Sequence, residues 1–326
     1  MRTISDIPAV GRAIGDLREA GTTVGFVPTM GYLHAGHVEV LKRAGEENDC
    51  VVASIFVNPL QFGPTEDLGQ YPRDLKRDTS LLEKEGADIL FAPSVEEMYP
   101  RPMKAVVDVP EISKQLIGED RPGHFAGVAT VVCKLLNIVQ PNAAYFGEKD
   151  YQQLVVIRRI VDDLAIPTAI CSVPTVRDGD GLALSSRNVF LNAAEREAAL
   201  VIPKALDEAA RLIATGTTHP YVVENTLRHF INRRPLATPE MIAVRDATTL
   251  RKVETITSPV VVSCSFELVR RGSSTTASFK RNDSYQEPGA KPNCVSVSAG
   301  QGLTALASEP SASVPWTSVP FTPSQM

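Results

Sequence analysis

The stretch PTMGYLHAGHVEV, residues 28–40, joins a predicted strand to a predicted helix and so decides the fold. The apolar run TVGFVPT that leads into it has the length and composition of a buried strand, and a methionine-glycine pair supplies the turn. We expect the helix to begin at about Leu33 or His34. His34 and His37 then lie in its first turn, at the carboxyl edge of a sheet, where open α/β folds bind ligands.

Two histidines three positions apart are compatible with three interpretations. A fortuitous pair, capping the helix or facing solvent, needs no ligand. A zinc site is disfavoured, because the motif HExxH spaces its histidines by four residues and includes a glutamate, whereas Ala35 and Gly36 intervene here. An anion site is favoured by the free N–H groups of the helix start and by Gly36, which leaves room for a phosphate. Beside a polyphosphate, we expect the charged form of both imidazoles to be favoured.

Strand-like and helix-like segments alternate through the first half of the chain, a pattern typical of a parallel sheet covered on both faces. A first helix is predicted from about Ile4 to Ala20, ahead of TVGFVPT. The segments that follow are the strand CVVASIFVNP, the helix RDLKRDTSLLEKEG, the strand ADILFAP, the helix GVATVVCKLLNIVQ, the strand AAYFG, the helix KDYQQLVVIRRIVDDL and the strand TAICSVPTV. The predicted fold class is α/β, with a Rossmann-like parallel sheet.

The pattern changes after Val176. The loop RDGDGLALSSRN precedes the predicted helices AAEREAALVIPKALDEAARLIATG and HPYVVENTLRHFINRR and the strands MIAVRDATTL and PVVVSCSFELV. Beyond about Gly272 the chain is rich in serine, threonine and proline and lacks apolar periodicity. We predict a Rossmann-like domain over residues 1–176, a smaller α+β lid domain over 177–270 and a disordered tail over 271–326.

Composition argues against two classes of partner. The net charge of −5 gives no global basic field for nucleic acid, and no apolar run approaches the roughly 18 residues of a membrane helix. Charged residues recur through the N-terminal segment, so no signal peptide is predicted and the cytoplasm is the expected compartment. The five cysteines form no CxxC pair, and we expect them to be reduced thiols.

Further polar loops follow the predicted strands and are expected to converge on the same edge of the sheet. Asn58 and Gln61 offer neutral amides, which recognise hydroxyl and carbonyl groups. Lys149 is either a solvated surface residue or a positive charge placed beside a helix start. Asp150 is a candidate N-cap of the same helix.

Two more segments carry groups suited to anions. LSSRN supplies the hydroxyl donors of Ser185 and Ser186 and the guanidinium of Arg187, a combination suited to phosphate oxygens, although serine-arginine loops are common. RPGHFAGV adds Arg121 and His124 before a helix whose glycine permits close approach. For that segment an ordinary surface loop, with a structural histidine, is the alternative.

Together and in this order, PTMGYLHAGH, SIFVNPLQF, RPGHFAGVATVV, YFGEKDYQQL and DGLALSSRN resemble the pantoate-β-alanine ligase family over roughly residues 1–250. The HxGH motif alone indicates only the wider nucleotidyltransferase superfamily. The loops that contain Gln61 and Gln153 narrow the resemblance to the pantoate-β-alanine ligase family. It implies a Rossmann-like domain with a lid, a homodimer, pantoate and β-alanine as substrates, ATP as cosubstrate and Mg²⁺ as cofactor. After PVVVSCSF the chain departs from the family pattern.

The resemblance also assigns residues. The implied catalytic residues are His34, His37, Lys149, Ser185, Ser186 and Arg187, with His37 as proton donor. The implied ATP-binding residues are Met30, Gly31, Tyr32, Leu33, His34, Ala35, Gly36, His37, Gly147, Glu148, Lys149, Asp150, Val176, Leu184, Ser185, Ser186 and Arg187. For pantoate and β-alanine the resemblance implies Gln61 and Gln153, and the residue types and positions described above add Asn58, Arg121 and His124 as candidates. The magnesium ligands are not identified.

The implied reaction makes pantothenate through a pantoyl adenylate and releases pyrophosphate and then AMP. An amine does not displace oxide from a carboxylate, so ATP must first supply a leaving group. Preorganised donors would stabilise the negative charge that develops on the phosphate oxygens. Two alternatives share the HxGH motif or the nucleotide site: an adenylyltransferase, and a nucleotide-binding protein without catalytic activity.

Overall fold

A computed structural model describes residues 1–64, 66, 68–268 and 281–286. None of the helices in these ranges has both the length and the apolar character needed to span a membrane. The strands are β1 (Arg2–Ile4), β2 (Val24–Thr29), β3 (Cys50–Ile55), β4 (Ile89–Phe91), β5 (Ala143–Gly147), β6 (Ala169–Val173), β7 (Ala237–Asp246), β8 (Val260–Leu268) and β9 (Arg281–Gln286). The helices are α1 (Ile7–Glu19), α2 (Ala35–Glu47), α3 (Leu75–Lys84), α4 (Val95–Met98), α5 (Pro110–Ser113), α6 (Ile117–Asp120), α7 (His124–Val139), α8 (Tyr151–Asp163), α9 (Ala193–Ala199), α10 (Val201–Ala214) and α11 (Pro220–Asn232), with short 3-10 helices at Pro59–Gln61, Glu148–Asp150 and Ser186–Phe190.

The first six strands form one parallel sheet in the order β1-β4-β3-β2-β5-β6. From β2, the chain adds β3 and β4 on one side and then β5 and β6 on the other. The carboxyl ends of β2 and β5 therefore border the crevice where doubly wound sheets bind ligands. β2 ends at Thr29 and β5 at Gly147, so the loops with His34 and Lys149 both start at this crevice.

Alternate residues of the strands pack on opposite faces of this sheet. Phe26 lies in a hydrophobic cluster with residues of α1, α7 and α8, whereas the next residue, Val27, lies in a cluster with residues of α2 and α3. Both side chains are almost fully buried. This burial on both faces explains why β2 lacks the apolar-polar alternation of a half-exposed strand.

β7, β8 and β9 form a separate antiparallel sheet in that order. Leu206 of α10 and Leu227 of α11 share a hydrophobic cluster with Val262 and Phe266 of β8. The intervening Val261 instead joins the cluster that contains α7 and α8. Because strand side chains alternate in direction, the two faces of β8 pack against the two parts of the molecule.

The structure confirms the α/β class and the predicted parallel sheet. It corrects the start of the first helix: α1 begins at Ile7, with Asp6 as its N-cap, and Ile4 belongs to β1. β1 is a three-residue edge strand that pairs with β4. A strand of three residues is too short to show a periodic pattern, so the sequence does not predict it.

The segment predicted as one helix after Asn192 is two helices, α9 and α10, which meet at Leu200. Pro203 lies in the first turn of α10. There its missing N–H is harmless, whereas in a continuous helix it would lack the hydrogen bond to the carbonyl four residues earlier. The break therefore accommodates the proline.

β9 lies in the segment for which the sequence predicts a disordered tail, so the structure differs from that prediction at Arg281–Gln286. Its backbone pairs with β8 as an antiparallel edge strand. Backbone hydrogen bonds to one neighbour do not require an apolar alternation in the sequence. The rest of the predicted tail, residues 271–280 and 287–326, lies outside the described residues.

The prediction of reduced thiols is confirmed for Cys50, Cys133 and Cys264, which carry no disulfide bond. It is wrong for Cys171 on β6, which is disulfide-bonded. Spacing along the sequence does not show which thiols the fold brings within bonding distance.

Candidate active site

Loops that follow β2, β3, β5 and β6 enclose a cavity of about 260 Å³ at the crevice between β2 and β5. The first turn of α2 and the start of α7 also contribute to its lining. The polar segments that were expected to converge do so here. The predicted site residues that line the cavity are Met30, His34, Gly36, His37, Asn58, Gln61, Arg121, His124, Gly147, Lys149, Asp150, Gln153, Val176, Leu184, Ser185, Ser186 and Arg187.

Five predicted site residues are not part of this lining: Gly31, Tyr32, Leu33, Ala35 and Glu148. Leu33 is 1% exposed and packs in the core with residues of α2 and α3. Glu148 faces β6, where its Oε1 accepts a hydrogen bond from the Ser172 hydroxyl at 2.9 Å. A contiguous stretch of sequence therefore includes residues whose side chains face the core.

His34 and His37 cap α2 reciprocally. Nδ1 of His34, the N-cap residue, accepts the Gly36 N–H at 3.1 Å, and Nδ1 of His37 accepts the His34 N–H at 3.2 Å. The two ring centroids lie 4.0 Å apart. Because each Nδ1 accepts a backbone hydrogen bond, each neutral ring carries its proton on Nε2. The pair therefore offers two N–H donors to the cavity that it lines.

Burial lowers the pKa of His34 to about 4, and the charge of Lys149 acts in the same direction. Burial likewise lowers the pKa of His37 to about 3, assisted by His34 and Lys149. Desolvation and nearby cations thus oppose protonation of both rings, and the expectation that an adjacent polyphosphate favours their charged form stays a prediction. A neutral imidazole is still a hydrogen-bond donor through Nε2.

The metal interpretation of the histidine pair lacks a third ligand. In the part of the chain that the structure describes, no three His, Cys, Asp or Glu side chains are grouped so as to hold a metal ion. Both Nδ1 atoms are already occupied by backbone N–H groups. The donor geometry of the pair suits an anion instead.

Glycine at position 36 leaves space for the imidazole of His34 as well as for a ligand. A Cβ built at this position would lie 2.9 Å from Cε1 and 3.0 Å from Nδ1 of His34. A larger residue would therefore displace the imidazole of His34. The sequence predicts only that glycine leaves room for a phosphate.

Side chains of α3 contact the turn that precedes His34. The carboxylate of Asp78, 1% exposed, accepts the N–H of Tyr32 at 2.6 Å and that of Leu33 at 2.8 Å. Arg77 donates to the Leu33 carbonyl at 2.8 Å. Asp78 follows Tyr32 by 46 residues, and nothing in the local sequence indicates the contact.

Asn58 holds Gln61. Its Nδ2 donates to Gln61 Oε1 at 3.2 Å and to the Gly127 carbonyl at 3.1 Å, and its Oδ1 accepts the Tyr99 hydroxyl at 2.8 Å. Both N–H donors of Asn58 are thus engaged within the protein. Gln61 donates one Nε2 hydrogen to Met30 Sδ at 3.0 Å, which leaves its second hydrogen for the cavity.

The contact between α7 and the Asn58–Gln61 loop is backbone on backbone. A Cβ at Gly127 would lie 2.2 Å from the Leu60 carbonyl oxygen. The predicted close approach at the glycine of RPGHFAGV is therefore present, and its partner is this loop of the protein.

Arg121 and His124 bind the backbone of the same loop. His124 Nδ1 donates to the Gln61 carbonyl at 2.8 Å, and its Nε2 accepts from Arg121 Nη1 at 3.2 Å. Arg121 also forms a bidentate ion pair with Glu66. Burial, assisted by the charge of Arg121, lowers the pKa of His124 to about 4. The contacts of His124 are therefore those of a structural histidine, the alternative given above. The sequence does not predict that Glu66 and Tyr99 take part in these hydrogen bonds.

Lys149 is a partly buried cation of the cavity. Its side chain is 21% exposed, and its Nζ lies 3.1 Å from Asp150 Oδ1. Burial opposes ionisation of Asp150, but Lys149 and then Arg187 favour it, and the pKa of Asp150 is lowered overall. Asp150 occupies the N-cap position of α8 without a capping hydrogen bond from its side chain. Lys149 is therefore not a fully solvated surface residue, and the side chain of Asp150 does not cap α8.

The serine-arginine loop packs onto the turn before α2. The Ser186 hydroxyl donates to the Tyr32 carbonyl at 3.1 Å, and Ser185 Oγ accepts the Arg187 N–H at 3.3 Å. The Arg187 guanidinium lies 5.5 Å from the Tyr71 ring centroid. The Val176 carbonyl accepts the Leu184 N–H at 2.9 Å. These contacts bring the loop to the cavity beside the histidine pair.

Adjacent glutamines in YQQL have different surroundings. Gln152 is 4% exposed, donates to the carbonyls of Ile112 and Gln115 at 2.9 and 2.7 Å, and accepts the Ile117 N–H at 3.2 Å. Gln153 lines the cavity, and its side chain forms no hydrogen bond with the other described residues. The predicted residue is therefore the glutamine whose amide remains available to a ligand.

One wall of the cavity is apolar and is not predicted as part of the site. It is formed by one face of α7, and the sequence indicates only a buried amphipathic helix there. The i, i+3, i+4, i+7 spacing that places its residues on one face was the available signal. These residues are Val128, Val131, Val132 and Leu135.

Comparison with known proteins identifies relatives that cover most of the chain. A sequence model of the family "Pantoate-beta-alanine ligase" matches residues 2–272. Pantothenate synthetase from Rhizobium johnstonii is 62% identical over 263 residues, covering 81% of this chain and 87% of the relative. Pantothenate synthetase from Brucella canis is 58% identical over 264 residues, covering 81% of this chain and 90% of the relative.

Solved structures agree with the sequence comparison. The crystal structure of pantothenate synthetase from Thermus thermophilus has a TM-score of 0.80 and 42% identity, covering 88% of this chain and 99% of that one. Pantoate-beta-alanine ligase from Francisella tularensis, complexed with beta-gamma ATP and beta-alanine, has a TM-score of 0.71 and 34% identity, covering 88% and 97%. The chain belongs to the pantoate-beta-alanine ligase family.

Proposed function

We propose that this chain joins pantoate to β-alanine with consumption of ATP, giving pantothenate, AMP and pyrophosphate. One observation carries the proposal: the amides of Gln61 and Gln153 line the same cavity as His34, His37 and Lys149. Donors suited to phosphate and amides suited to a hydroxy acid thus border one space. The Francisella tularensis relative, complexed with beta-gamma ATP and beta-alanine, supports ATP as the cosubstrate.

The reaction takes place in two steps. A carboxylate oxygen of pantoate attacks the α-phosphorus of ATP, the bond from that phosphorus to the bridging oxygen breaks, and pyrophosphate leaves. The amine of β-alanine then attacks the acyl carbon of pantoyl adenylate, the acyl carbon-oxygen bond breaks, AMP leaves and the amine loses a proton to solvent. Holding these reactants in one cavity supplies much of the acceleration.

The phosphate side of the cavity stabilises negative charge in the first step. The Nε2–H groups of His34 and His37 donate to the phosphate oxygens, because each Nδ1 is already occupied by a backbone N–H group. Lys149 and Arg187 add positive charge, and the loop from Leu184 to Arg187 closes over the nucleotide. One donor of this kind is typically worth about 2.7 to 4 kcal/mol of barrier. The proposed ATP contacts are Met30, His34, Gly36, His37, Gly147, Lys149, Asp150, Val176, Leu184, Ser185, Ser186 and Arg187.

The acid side recognises pantoate through amides and an apolar wall. Gln61 and Gln153 bind the hydroxyl and carboxylate oxygens. The two methyl groups of pantoate pack on the valine face of α7. Three further residues contribute by fixing Gln61 in place. Asn58 binds the Gln61 side chain, and His124, which Arg121 holds, binds the Gln61 carbonyl.

Magnesium fits this site as a partner of ATP. Mg²⁺ is usually held by one or two carboxylates together with substrate phosphates, and Asp150 is the carboxylate of the described cavity lining. Bound there, the ion would neutralise phosphate charge. No cage of protein ligands is required for such an ion, and the described residues contain no group of three His, Cys, Asp or Glu side chains that would form one.

Three broader predictions remain proposals. The division into a Rossmann-like domain, 1–176, and a lid, 177–270, accords with the hydrophobic cluster that α10, α11 and β8 share. The homodimer rests on the family resemblance and is testable by sedimentation. Cytoplasmic localisation rests on the sequence alone.

Isotope exchange tests the proposed function. The purified chain is incubated with ATP, Mg²⁺ and labelled pyrophosphate, with and without pantoate. We expect label to enter ATP only when pantoate is present, and AMP to be released when β-alanine is added. Exchange that needs a phosphorylated acceptor instead would indicate an adenylyltransferase, and ATP binding without exchange would indicate a silent nucleotide-binding protein. Either result would overturn the proposal.

A further inference from the structure

The turn Gly31–Leu33 connects β2 to the histidine pair. Gly31 has a φ of +81°, which favours glycine. The residue that follows the turn, His34, is the N-cap of α2 and half of the reciprocal cap. Any shift of this turn therefore shifts both imidazoles.

Asp78 binds this turn from the neighbouring helix α3. Its two carboxylate oxygens accept consecutive backbone N–H groups, Oδ2 from Tyr32 at 2.6 Å and Oδ1 from Leu33 at 2.8 Å. The side chain is 1% exposed. Hydrogen bonds from N–H groups to a buried carboxylate are stronger than those between neutral groups. The turn is thus held at two adjacent points.

Two further side chains complete the attachment. Arg77 donates to the Leu33 carbonyl at 2.8 Å, and its guanidinium lies 5.0 Å from the Tyr32 ring centroid. Arg77 Nη1 is also 3.5 Å from Asp78 Oδ1, which partly compensates the buried carboxylate. On the opposite side, the Ser186 hydroxyl donates to the Tyr32 carbonyl.

We propose that Asp78 is a positioning residue for the ligase reaction: through Tyr32 and Leu33 it fixes the turn that orients His34 and His37 toward the ATP phosphates. The inference rests on the proposed function for its kinetic consequence alone. Asp78 does not touch the cavity, so its effect passes through the backbone of the turn.

The chemistry of the contact requires a carboxylate. The two N–H groups meet different oxygens of Asp78, whereas an amide offers one oxygen and would turn its NH₂ group toward one of the two donors. A side chain at position 31 would crowd the same site, because a Cβ on Gly31 would lie 3.1 Å from Asp78 Oδ2. The contact of Asp78 with the turn therefore depends on glycine at position 31.

Asp78→Asn tests the proposal by kinetics. We expect kcat of pantoate-dependent exchange to fall by about 100-fold, since small displacements of catalytic groups have effects of that size. The KM for pantoate should stay within about twofold, because Gln153 is not attached to this turn and Gln61 contacts only the residue before it, Met30, through a weak sulfur acceptor. Asp246→Asn is the control for replacing a backbone-binding carboxylate elsewhere: Asp246 Oδ1 accepts the N–H groups of both Thr248 and Thr249, a role that an amide oxygen can keep, and Asp246 does not line the cavity.

Histidine nitrogen NMR supplies a readout that a purely stabilising residue would not change. In the wild type, His34 and His37 should show protonated Nε2 and hydrogen-bonded Nδ1, whereas His124, which donates through Nδ1, should show the opposite tautomer. In Asp78→Asn the signals of the first two should average between tautomers while the His124 signal is unchanged. The chain has five histidines, few enough to assign by substitution.

A normal rate in Asp78→Asn, or a reduced rate with unchanged His34 and His37 signals, would overturn the proposal. If Asp78→Asn does not fold, Arg77→Gln decides, because that side chain is 48% exposed and we expect its replacement to leave the fold intact. A smaller fall in kcat with altered His34 signals is then expected, and the absence of both changes would refute the inference. If the wild type shows no exchange, the proposed function fails, yet the NMR comparison still tests the positioning.

Discussion

Two histidine-bearing corners of the cavity differ in how their hydrogen bonds are used. At the start of α2, His34 and His37 each use Nδ1 to accept a backbone N–H. At the start of α7, His124 uses both ring nitrogens, one toward the Gln61 carbonyl and one toward Arg121. Burial lowers the pKa in all three cases. The histidines of both corners are thus neutral. They differ in that His34 and His37 each keep an Nε2–H donor for a ligand, whereas both ring nitrogens of His124 are hydrogen-bonded within the protein.

That difference distinguishes groups that contact a ligand from groups that hold other groups. A buried histidine with an N–H group that has no partner has one unsatisfied hydrogen-bond donor, and a bound phosphate can accept from it. A histidine with both nitrogens engaged is complete without a ligand. The same distinction separates Gln153 from Gln152 and Gln61 from Asn58.

The largest expected effect is at His37. His37→Asn keeps a side-chain acceptor near the Nδ1 position and removes the Nε2–H donor, so the helix cap should survive while the exchange rate falls by about 100- to 1,000-fold. Steady-state exchange kinetics and circular dichroism measure the two properties. Full activity would show that His37 belongs with His124 as a structural histidine.

The adjacent glutamines should separate substrate binding from folding. Gln153→Ala should raise the KM for pantoate about tenfold with ATP affinity unchanged, because one amide contact to the acid is lost. Gln152→Ala should leave KM unchanged and lower the free energy of unfolding by about 1 to 3 kcal/mol, since buried backbone groups lose their partner. Pantoate titrations and urea denaturation of both variants test this. An unchanged pantoate KM in Gln153→Ala would remove this residue from the acid site.

A smaller effect is expected at His124. His124→Ala removes the donor to the Gln61 carbonyl and should raise the KM for pantoate by about fivefold, with kcat nearly constant. His124→Asn, which places an amide N–H near the former Nδ1, should recover most of the loss. If the substitutions reduced kcat as strongly as His37→Asn does, the contrast between the two corners would not hold.

The smallest expected effect is the dependence of the free energy of unfolding on pH. The folded pKa values of His34, His37 and His124, about 4, 3 and 4, lie below the unfolded value of 6.5. Between these values the unfolded chain binds more protons, so stability is fully present above the unfolded pKa and is lost as the pH falls. At pH 6.5 each histidine should cost about 0.4 kcal/mol relative to pH 8. Urea denaturation across this range tests the sign, and a rise in stability toward acid would contradict it.

The strands of the parallel sheet were predictable because each is buried on both faces. β2, β3 and β5 are short apolar runs closed by proline, asparagine or glycine. β1 and β9 are edge strands, and their pairing depends on a neighbour that local sequence does not specify. The two kinds of strand differ in what stabilises them: side-chain burial in the first case, and mainly backbone pairing in the second.

The candidate site was predictable where chemistry follows a strand end. His34, Gln61 and Lys149 all lie within a few residues of β2, β3 or β5. Asp78 and Glu66 were not predictable, because each acts on a residue about 50 positions away in the chain. Their contacts depend on tertiary packing, and a charged residue on a helix or loop is usually a solvated one.

The close contact at Gly127 has a genetic consequence. Every glycine codon becomes an alanine codon by a single base change, so ordinary mutation presents alanine at this position repeatedly. Each such chain would have a methyl group 2.2 Å from the Leu60 carbonyl oxygen and would have to displace the loop that carries Gln61. Selection for pantoate recognition would thus preserve glycine at a residue that need not contact pantoate.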